Sequence, residues 1–303
     1  MTVGIAAICK VGPADDPTSE GAIILTADRM LTDTRNDREF EMSNQTKLFK
    51  LTTHIGVLVS GDGERFLEIC RRTQAKIGDS SSVASAVGVF SDEFLAYRNS
   101  QDERRVLGPY GLTLESFHAR QRQLEANFVA RLIEALSRER FGDALIAGID
   151  ESGAHIFTVV DPGRPLPNDQ AGFAAIGTGA AFAEAVFEIE GYDGYFDWSA
   201  ALLLAHAARR EAEAAAGVGQ QADMWIISKA GGIFDLTSTG IFNHLDKLYG
   251  KRRKRQQDAV RRDHAALSVA LEKVYAPERD GETGTGASTN EVTDRGGSSG
   301  APR

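Results

Sequence analysis

The sequence predicts a mixed α and β fold in which antiparallel sheets are covered by helices. Strand and helix patterns follow one another in groups: strands, two helices, strands, two helices, strands. This grouping is typical of antiparallel α+β architectures rather than of a doubly wound parallel sheet. The chain has 303 residues, of which 42% are hydrophobic and 25% charged, an ordinary globular composition with enough length to bury a full core.

The first half of the chain predicts strands followed by helices. Short apolar and β-branched segments predict strands over residues 2–9, 22–27, 47–51 and 54–60, arranged as a β-meander. Helical spacing of apolar residues predicts helices over residues 63–77 and 81–97. A long amphipathic helix is predicted over residues 114–140, with an inward stripe that includes Phe117 and Leu132.

The second half repeats the order and ends in a charged tail. Strands are predicted over residues 144–149, 155–160 and 171–176, helices over 180–190 and 198–216, and a hairpin over 223–236. We therefore expect one domain over residues 1–240, with a helical insertion around 100–140. A charged helical extension is expected over 241–275, and a disordered Gly- and Ser-rich tail over 276–303.

Composition argues against several function classes. The net charge of −9 disfavours binding to nucleic acid or to anionic membranes. Cys9 and Cys70 cannot form a disulfide framework, and no spacing of cysteines and histidines predicts a metal site, a triad or a cofactor. A secretory signal and a membrane span are not indicated, so we expect a cytoplasmic protein. The basic run at residues 251–255 is interpreted as a solvated helix face or as a patch for an acidic partner.

Six motifs occur in an order that resembles the β subunits of the proteasome. They are Val3-Gly4-Ile5, residues 24–29 (ILTADR), 46–51 (TKLFKL), 54–61 (HIGVLVSG) and 146–150 (IAGID), and Gly177-Thr178-Gly179. The resemblance covers residues 2–236 and is to a divergent, bacterial-type member. It implies an N-terminal nucleophile (Ntn) hydrolase fold, which is a four-layer αββα sandwich of two antiparallel sheets between two helical layers.

The same resemblance implies a set of site residues. A Thr hydroxyl is a weak nucleophile that needs a base, and a free α-amine, with a pKa near ~8, can be that base. A nearby Lys lowers the pKa of the amine. Carried over by position, Thr2 is the nucleophile once Met1 is removed, Asp28 and Lys47 are the site's acidic and basic residues, and Thr178 takes the place of a Ser.

Each of these residues also has an ordinary structural interpretation. Thr2 is a plain strand residue in that case, and Asp28 caps a turn or pairs with Arg29. Lys47 is then an edge-strand charge that discourages aggregation. Thr178 then caps the helix that begins near residue 180.

The sequence departs from the family pattern in three places, one of which is Met30, where the family has an Arg two residues after the Asp. Aligned on Val3-Gly4-Ile5, Thr2 stands two residues after the family's nucleophile, which is about 6.6 Å along a strand and beyond the reach of proton transfer. In addition, residues 211–218 lack a clear counterpart of the family's second Asp and Ser, and only Glu211 and Glu213 offer carboxylates there.

Three functions therefore remain open. The first is a threonine-type peptidase or amide hydrolase acting on a peptide or amide substrate. The second is a catalytically lapsed scaffold that serves as an assembly or binding module, and the third is an adaptor whose charged tail recruits a partner. The resemblance implies a homo-oligomer and, as a further partner, an unfoldase or adaptor.

Overall fold

The computed structural model describes residues 2–12, 20–33, 38–41, 46–138 and 140–275, and it confirms a mixed α and β fold. The strands of these residues are β1 (Gly4–Val11), β2 (Glu20–Asp28), β3 (Met30–Asp33), β4 (Arg38–Glu41), β5 (Leu48–Lys50), β6 (Ile55–Gly61), β7 (Gly142–Asp150), β8 (Gly153–Val160), β9 (Arg164–Pro167), β10 (Phe173–Ile176), β11 (Ala222–Ser228) and β12 (Gly232–Asp235). The helices are α1 (Gly63–Gln74), α2 (Val83–Asp102), α3 (Leu114–Arg120), α4 (Ala126–Arg138), α5 (Ala180–Ile189), α6 (Trp198–Ala212) and α7 (Ile241–Tyr275).

Two five-stranded antiparallel sheets form the centre of the fold. The first has the strand order β10-β1-β2-β11-β12 and the second β5-β6-β7-β8-β9, while β3 and β4 form a separate hairpin. The predicted β-meander is wrong, because β1 and β2 belong to one sheet and β5 and β6 to the other. β1 takes its second neighbour, β10, from far along the chain, with Gly4 opposite Ile176.

The central strands β1, β2, β6 and β7 are buried on both faces, which explains why they are apolar along most of their length. Along β2, Ile23 and Leu25 face the second sheet, whereas Ile24 packs with α5 and α6. On the outer face of the second sheet, Val57 packs with α1 and α2. Helices therefore cover the outer face of each sheet, as in an α+β sandwich.

The long helix predicted over residues 114–140 is wrong, because the chain forms two helices there, α3 and α4. The carboxylate of Glu125 accepts hydrogen bonds from the N–H groups of Asn127 (3.0 Å) and Phe128 (2.9 Å), which starts α4 anew. The predicted stripe is nevertheless shared by the two helices, since Phe117 and Leu132 are buried in one cluster. Apolar spacing alone thus did not indicate the interruption.

The chain divides into two units, residues 1–252 and residues 253–303. In the first unit, α7 begins against the core, where Leu245 is buried. In the second unit, the described residues are the helical ones up to Tyr275, and the tail predicted to be disordered, 276–303, lies outside the described residues. The domain boundaries proposed from the sequence stay a prediction.

Candidate active site

The four residues predicted for the site converge at one end of the first sheet. Thr2 lies two residues before β1, Asp28 is the last residue of β2, and Thr178 lies in the turn between β10 and α5. Because β1 pairs with β2 on one side and with β10 on the other, these three residues come together. Lys47, the residue before β5, reaches them from the second sheet. We call these four residues the Thr2 cluster.

Asp28 is fully buried and accepts most of the hydrogen bonds of the cluster. Five groups donate to its two carboxylate oxygens: the N–H groups of Val3 (2.8 Å), Met30 (2.9 Å) and Gly219 (3.1 Å), the Lys47 ammonium (2.9 Å) and the Thr2 hydroxyl. A buried carboxylate is costly unless it is paired and hydrogen-bonded, and these donors supply both conditions. Asp28 is therefore a fixed acceptor that holds its neighbours in place.

Lys47 is also buried, and its ammonium contacts the side chains of Thr2 and Asp28. Its Nζ donates to the Thr2 hydroxyl oxygen and to Asp28 Oδ1. Burial lowers the pKa of Lys47 below its ordinary value, and the nearby charge of Asp28 opposes this shift. The ammonium is thus more acidic than that of an exposed Lys, and it is placed to stabilise negative charge on the Thr2 oxygen.

Thr2 is 1% exposed and is held by both its side chain and its backbone. Its hydroxyl donates to Asp28 Oδ1 and accepts from Lys47 Nζ. Its carbonyl oxygen accepts from the N–H of Gly179 at 3.1 Å. The Thr2 hydroxyl therefore lies between an ammonium donor and a carboxylate acceptor.

Thr178 does not cap α5, because Gly179 occupies the N-cap position of that helix. Its hydroxyl instead bridges the backbone of Thr2, accepting from the Thr2 N–H at 3.4 Å and donating to the Thr2 carbonyl at 3.3 Å. The turn needs glycine before it: Gly177 has a φ of +92°, and a Cβ there would overlap the Thr2 carbonyl. The capping interpretation of Thr178 is therefore wrong.

The position of the Thr2 hydroxyl also differs from the one expected from the alignment. A shift of two residues was expected to leave this hydroxyl beyond the reach of proton transfer. In the structure the hydroxyl contacts the Lys47 ammonium directly. The contact arises because Lys47 extends from the second sheet, and an alignment of β1 alone does not contain the spacing between the sheets.

A second ion pair near the cluster was missed by sequence reasoning. Asp223, near the start of β11, accepts from Arg29 Nε at 2.9 Å and is 4% exposed. Its charge raises the pKa of Lys47 and so acts in the same direction as Asp28. The signal in the sequence was an Asp inside an otherwise apolar strand. The pairing also shows that Arg29 is held by β11 rather than by Asp28.

The two carboxylates that the sequence offered as the family's second acidic residue have other partners. Glu213 accepts hydrogen bonds from Arg209 (2.9 Å) and Arg210 (3.0 Å), and Glu211 accepts from the hydroxyl of Tyr249 (2.9 Å). These contacts join α6 to its own last turn and to α7. They give both residues a structural explanation.

A further group of polar side chains lies at the hairpin between β7 and β8. His155 Nδ1 is 2.7 Å from Asp169 Oδ2, and its Nε2 is 2.8 Å from the Ser152 hydroxyl. The Ser152 hydroxyl also donates to Asp150 Oδ1 at 2.5 Å. We call these four residues the Ser152 cluster. The spacing of His155 in the sequence did not indicate this group, because Asp169 comes from the loop after β9.

Comparison with known proteins does not identify the chain. No protein-family model and no curated protein sequence matches it. Among residues the structure describes, no helix has the length and apolarity needed to cross a bilayer. In the same residues, no group of three or more His, Cys, Asp or Glu side chains could hold a metal ion. The resemblance to proteasome β subunits stays a prediction.

Proposed function

We propose that this chain is a threonine-type amide hydrolase of the Ntn class, with Thr2 as its nucleophile. The observation that carries the proposal is the buried contact of the Thr2 hydroxyl with both Lys47 and Asp28. A lysine and a carboxylate are costly to bury together for packing alone. Two antiparallel sheets with helices on their outer faces support the Ntn type of the sandwich.

The first step of the proposed mechanism is removal of Met1, which gives Thr2 a free α-amine. An α-amine has an ordinary pKa near ~8, so a useful fraction is unprotonated at neutral pH. The positive charge of Lys47 lowers the pKa of this amine further. The hydroxyl of Thr178, which accepts from the Thr2 nitrogen at 3.4 Å, helps to orient the amine.

The chemical step is acyl transfer to Thr2. Its hydroxyl oxygen attacks the amide carbonyl while its proton passes to the α-amine, directly or through one water. The amide C–N bond then breaks, and the amine leaving group takes up that proton. Lys47 stabilises the negative charge that develops on the attacking oxygen, and Asp28 fixes Lys47. Water then hydrolyses the ester formed on Thr2 and restores the hydroxyl.

A second function, a catalytically lapsed scaffold, is favoured by the burial of Thr2. At 1% exposure the Thr2 side chain offers no surface to a substrate in this conformation. Its carbonyl is fixed by Gly179 and its hydroxyl by Asp28. Under this alternative the Thr2 cluster holds the start of β1 in place, and the sandwich serves as an assembly or binding module.

The mass of the intact protein, before and after incubation with a β-lactone, distinguishes the two functions. The hydrolase requires loss of Met1 and one stoichiometric adduct on Thr2, and Thr2→Ala is expected to remove the adduct. Thr2→Ser is the matched variant, because it keeps the hydroxyl and is expected to keep the adduct. Retained Met1, or loss of Met1 without an adduct, would exclude the proposed mechanism and leave the scaffold.

The remaining expectations follow from the hydrolase proposal. The substrate would be a peptide or another amide, and an unfoldase or adaptor would deliver it. A homo-oligomer would enclose the site and limit access to it. We also propose a cytoplasmic location, because Cys9 and Cys70 are both free thiols, as is usual in a reducing compartment.

A further inference from the structure

The connection between α6 and β11 contacts the Thr2 cluster and the turn beside it. We call residues 217–221 of this connection the Gly219 loop. The N–H of Gly219 donates to Asp28 Oδ2 at 3.1 Å. Val218 is buried next to the turn before α5, since a Cβ on Gly179 would lie 3.1 Å from Val218 Cγ2. The position of the Gly219 loop is therefore coupled to the geometry of the cluster.

The two carboxylate oxygens of Asp28 face different partners. Oδ1 accepts from the Lys47 ammonium at 2.9 Å and from the Thr2 hydroxyl. Oδ2 accepts from the backbone N–H groups of Met30 at 2.9 Å and Gly219 at 3.1 Å. Because the two oxygens of a carboxylate turn together, the donors on Oδ2 help to fix the direction in which Oδ1 points. Gly219 thus contributes to the contact between Asp28 and the proposed nucleophile.

Arg209, in the last turn of α6, anchors the Gly219 loop. Its side chain is 2% exposed, and its Nη1 donates to the carbonyl oxygen of Gln220 at 3.0 Å and to Glu213 Oε1 at 2.9 Å. A hydrogen bond from a charged donor is stronger than one between neutral groups. Within the part of the chain that the structure describes, Arg209 Nε has no hydrogen-bond partner, which makes its burial costly. Stability alone therefore explains this buried guanidinium poorly.

From these contacts we infer that Arg209 is a positioning residue for the Thr2 nucleophile. Arg209 holds the Gly219 loop against Asp28, and Asp28 in turn keeps its Oδ1 directed at Lys47 and at the Thr2 hydroxyl. This role rests on the proposed hydrolase function and assigns to it a residue that touches no reacting group. A small displacement of the groups that align reacting atoms lowers a rate by about 100-fold.

The kinetics of β-lactone labelling at Thr2, measured over a range of β-lactone concentration, test this role. In Arg209→Met we expect the maximal rate constant of labelling to fall by about 100-fold. The β-lactone concentration that gives half of this maximum is expected to change little, because Arg209 is buried behind the cluster. A purely structural role would instead lower the number of adducts formed per chain, since unfolded molecules do not react, and would leave the rate constant of the folded molecules unchanged.

Arg210→Met is the matched control. Arg210 also donates to Glu213, at 3.0 Å, but among the described residues it makes no hydrogen bond to the Gly219 loop, so labelling at the parent rate is expected. Arg209→Lys is expected to restore most of the rate, because its ammonium can donate to the same carbonyl oxygen. If Arg209→Met does not fold, Arg209→Met/Glu213→Leu replaces the buried pair as a whole, which proteins commonly tolerate. The same fall in rate is expected for this double variant.

Hydrogen exchange of the Gly219 amide gives a second measurement that does not depend on labelling. Faster exchange is expected in Arg209→Met but not in Arg210→Met, because only the first variant releases the loop. The absence of an adduct in the parent protein would exclude the hydrolase, and this role with it. If the parent protein is labelled, an unchanged rate constant or unchanged Gly219 exchange in Arg209→Met would exclude the positioning role alone. Equal slowing of labelling in Arg209→Met and Arg210→Met would also exclude that role and leave the hydrolase.

Discussion

The Thr2 cluster and the Ser152 cluster contain the same three kinds of group, namely a hydroxyl, a basic side chain and a carboxylate. In the Thr2 cluster the hydroxyl contacts Lys47 and Asp28. In the Ser152 cluster the hydroxyl contacts His155, and His155 contacts Asp169 at 2.7 Å. By hydrogen-bond pattern alone, the second cluster is the closer match to a Ser-His-Asp triad.

The two clusters differ in how far their side chains are buried. The side chain of Asp28 is 0% exposed and that of Lys47 10%, whereas the Asp169 side chain is 38% exposed and Ser152 lies at an open turn. Charges interact strongly in a dry interior and weakly at a wet surface. The charges of the Thr2 cluster can therefore perturb the reactivity of a hydroxyl, while those of the Ser152 cluster are screened.

The hydroxyl of Ser152 is also engaged in a structural role. It donates to Asp150 Oδ1 at 2.5 Å, and the Ser152 N–H donates to the same oxygen at 2.8 Å. The other oxygen of Asp150 accepts from the N–H of Val83 at 2.8 Å, at the start of α2. Asp150 thus ties the β7–β8 hairpin to α2. A triad-like chain of contacts is a weaker sign of catalysis than a buried charge with a hydroxyl beside it.

Removing Lys47 tests the comparison most severely. Lys47→Met keeps a side chain of similar length but loses the ammonium that contacts the Thr2 hydroxyl. We expect the rate of β-lactone labelling at Thr2 to fall by about 1000-fold, which is the size of effect that loss of nucleophile activation produces. Labelling is followed by intact mass over time. Unchanged labelling in a folded Lys47→Met protein would remove Lys47 from the mechanism.

Neutralising one carboxylate in each cluster should give unequal losses of stability. Asp28→Asn removes the one carboxylate charge that the buried Lys47 ammonium contacts among the described residues, and we expect the free energy of unfolding to fall by about 3 kcal/mol. Asp169→Asn removes a partly exposed partner of His155, and the expected change is below about 1 kcal/mol. Urea denaturation of both variants at neutral pH measures the difference. Equal losses would mean that burial does not distinguish the clusters.

Only some of the residues in and near the Thr2 cluster could be predicted from the sequence. Asp28, Lys47 and Thr178 were predicted through the resemblance to proteasome β subunits, whose motifs lie in recognisable strands and in a Gly-flanked turn. Asp223 was not found, because its partner Arg29, between β2 and β3, lies 194 residues earlier in the chain. The contact of Thr2 with Lys47 depends on how far apart the two sheets lie. Such distances are set by packing between distant segments, which a local pattern does not contain.

The stability contributed by the Ser152 cluster is expected to decrease in acid. Burial acts to raise the pKa of Asp150, but hydrogen bonds from Ser152 and Val83 outweigh it and lower the pKa from 3.8 to about 2. The Asp150 carboxylate is harder to protonate in the folded state than in the unfolded state. Its contribution to the stability of the folded state is therefore complete above pH 3.8 and is lost as the pH falls through 2. In the Asp150→Asn variant, the free energy of unfolding measured by urea denaturation should therefore fall less steeply as the pH is lowered. If the free energy of unfolding of the variant and of the parent protein fell equally steeply in acid, the lowered pKa of Asp150 would not contribute to stability.

The stability contributed by the Thr2 cluster is expected to change at alkaline pH instead. The pKa of Lys47 is lowered, chiefly by burial, so the unfolded chain binds its proton more readily than the folded one. Stability contributed by this group therefore rises with pH between the lowered pKa and the ordinary value of 10.5. The slope of the unfolding free energy against pH should be smaller in Lys47→Met than in the parent protein. Parallel slopes would show that Lys47 titrates alike in the folded and unfolded chains.

The smallest expected effect is that of Ser152→Ala on labelling. Since the Ser152 hydroxyl donates to Asp150 and lies at a solvated turn, it is not activated as a nucleophile. We expect the β-lactone to label Thr2 at the same rate in this variant and in the parent protein, with a stability loss of about 0.5 kcal/mol for the hydrogen bond. Peptide mapping provides the internal control, because both sites are read in one sample. An adduct on Ser152 that disappears in the variant would reverse the comparison: the exposed cluster would then be the reactive one, and the buried charges beside Thr2 would serve only to hold the strand.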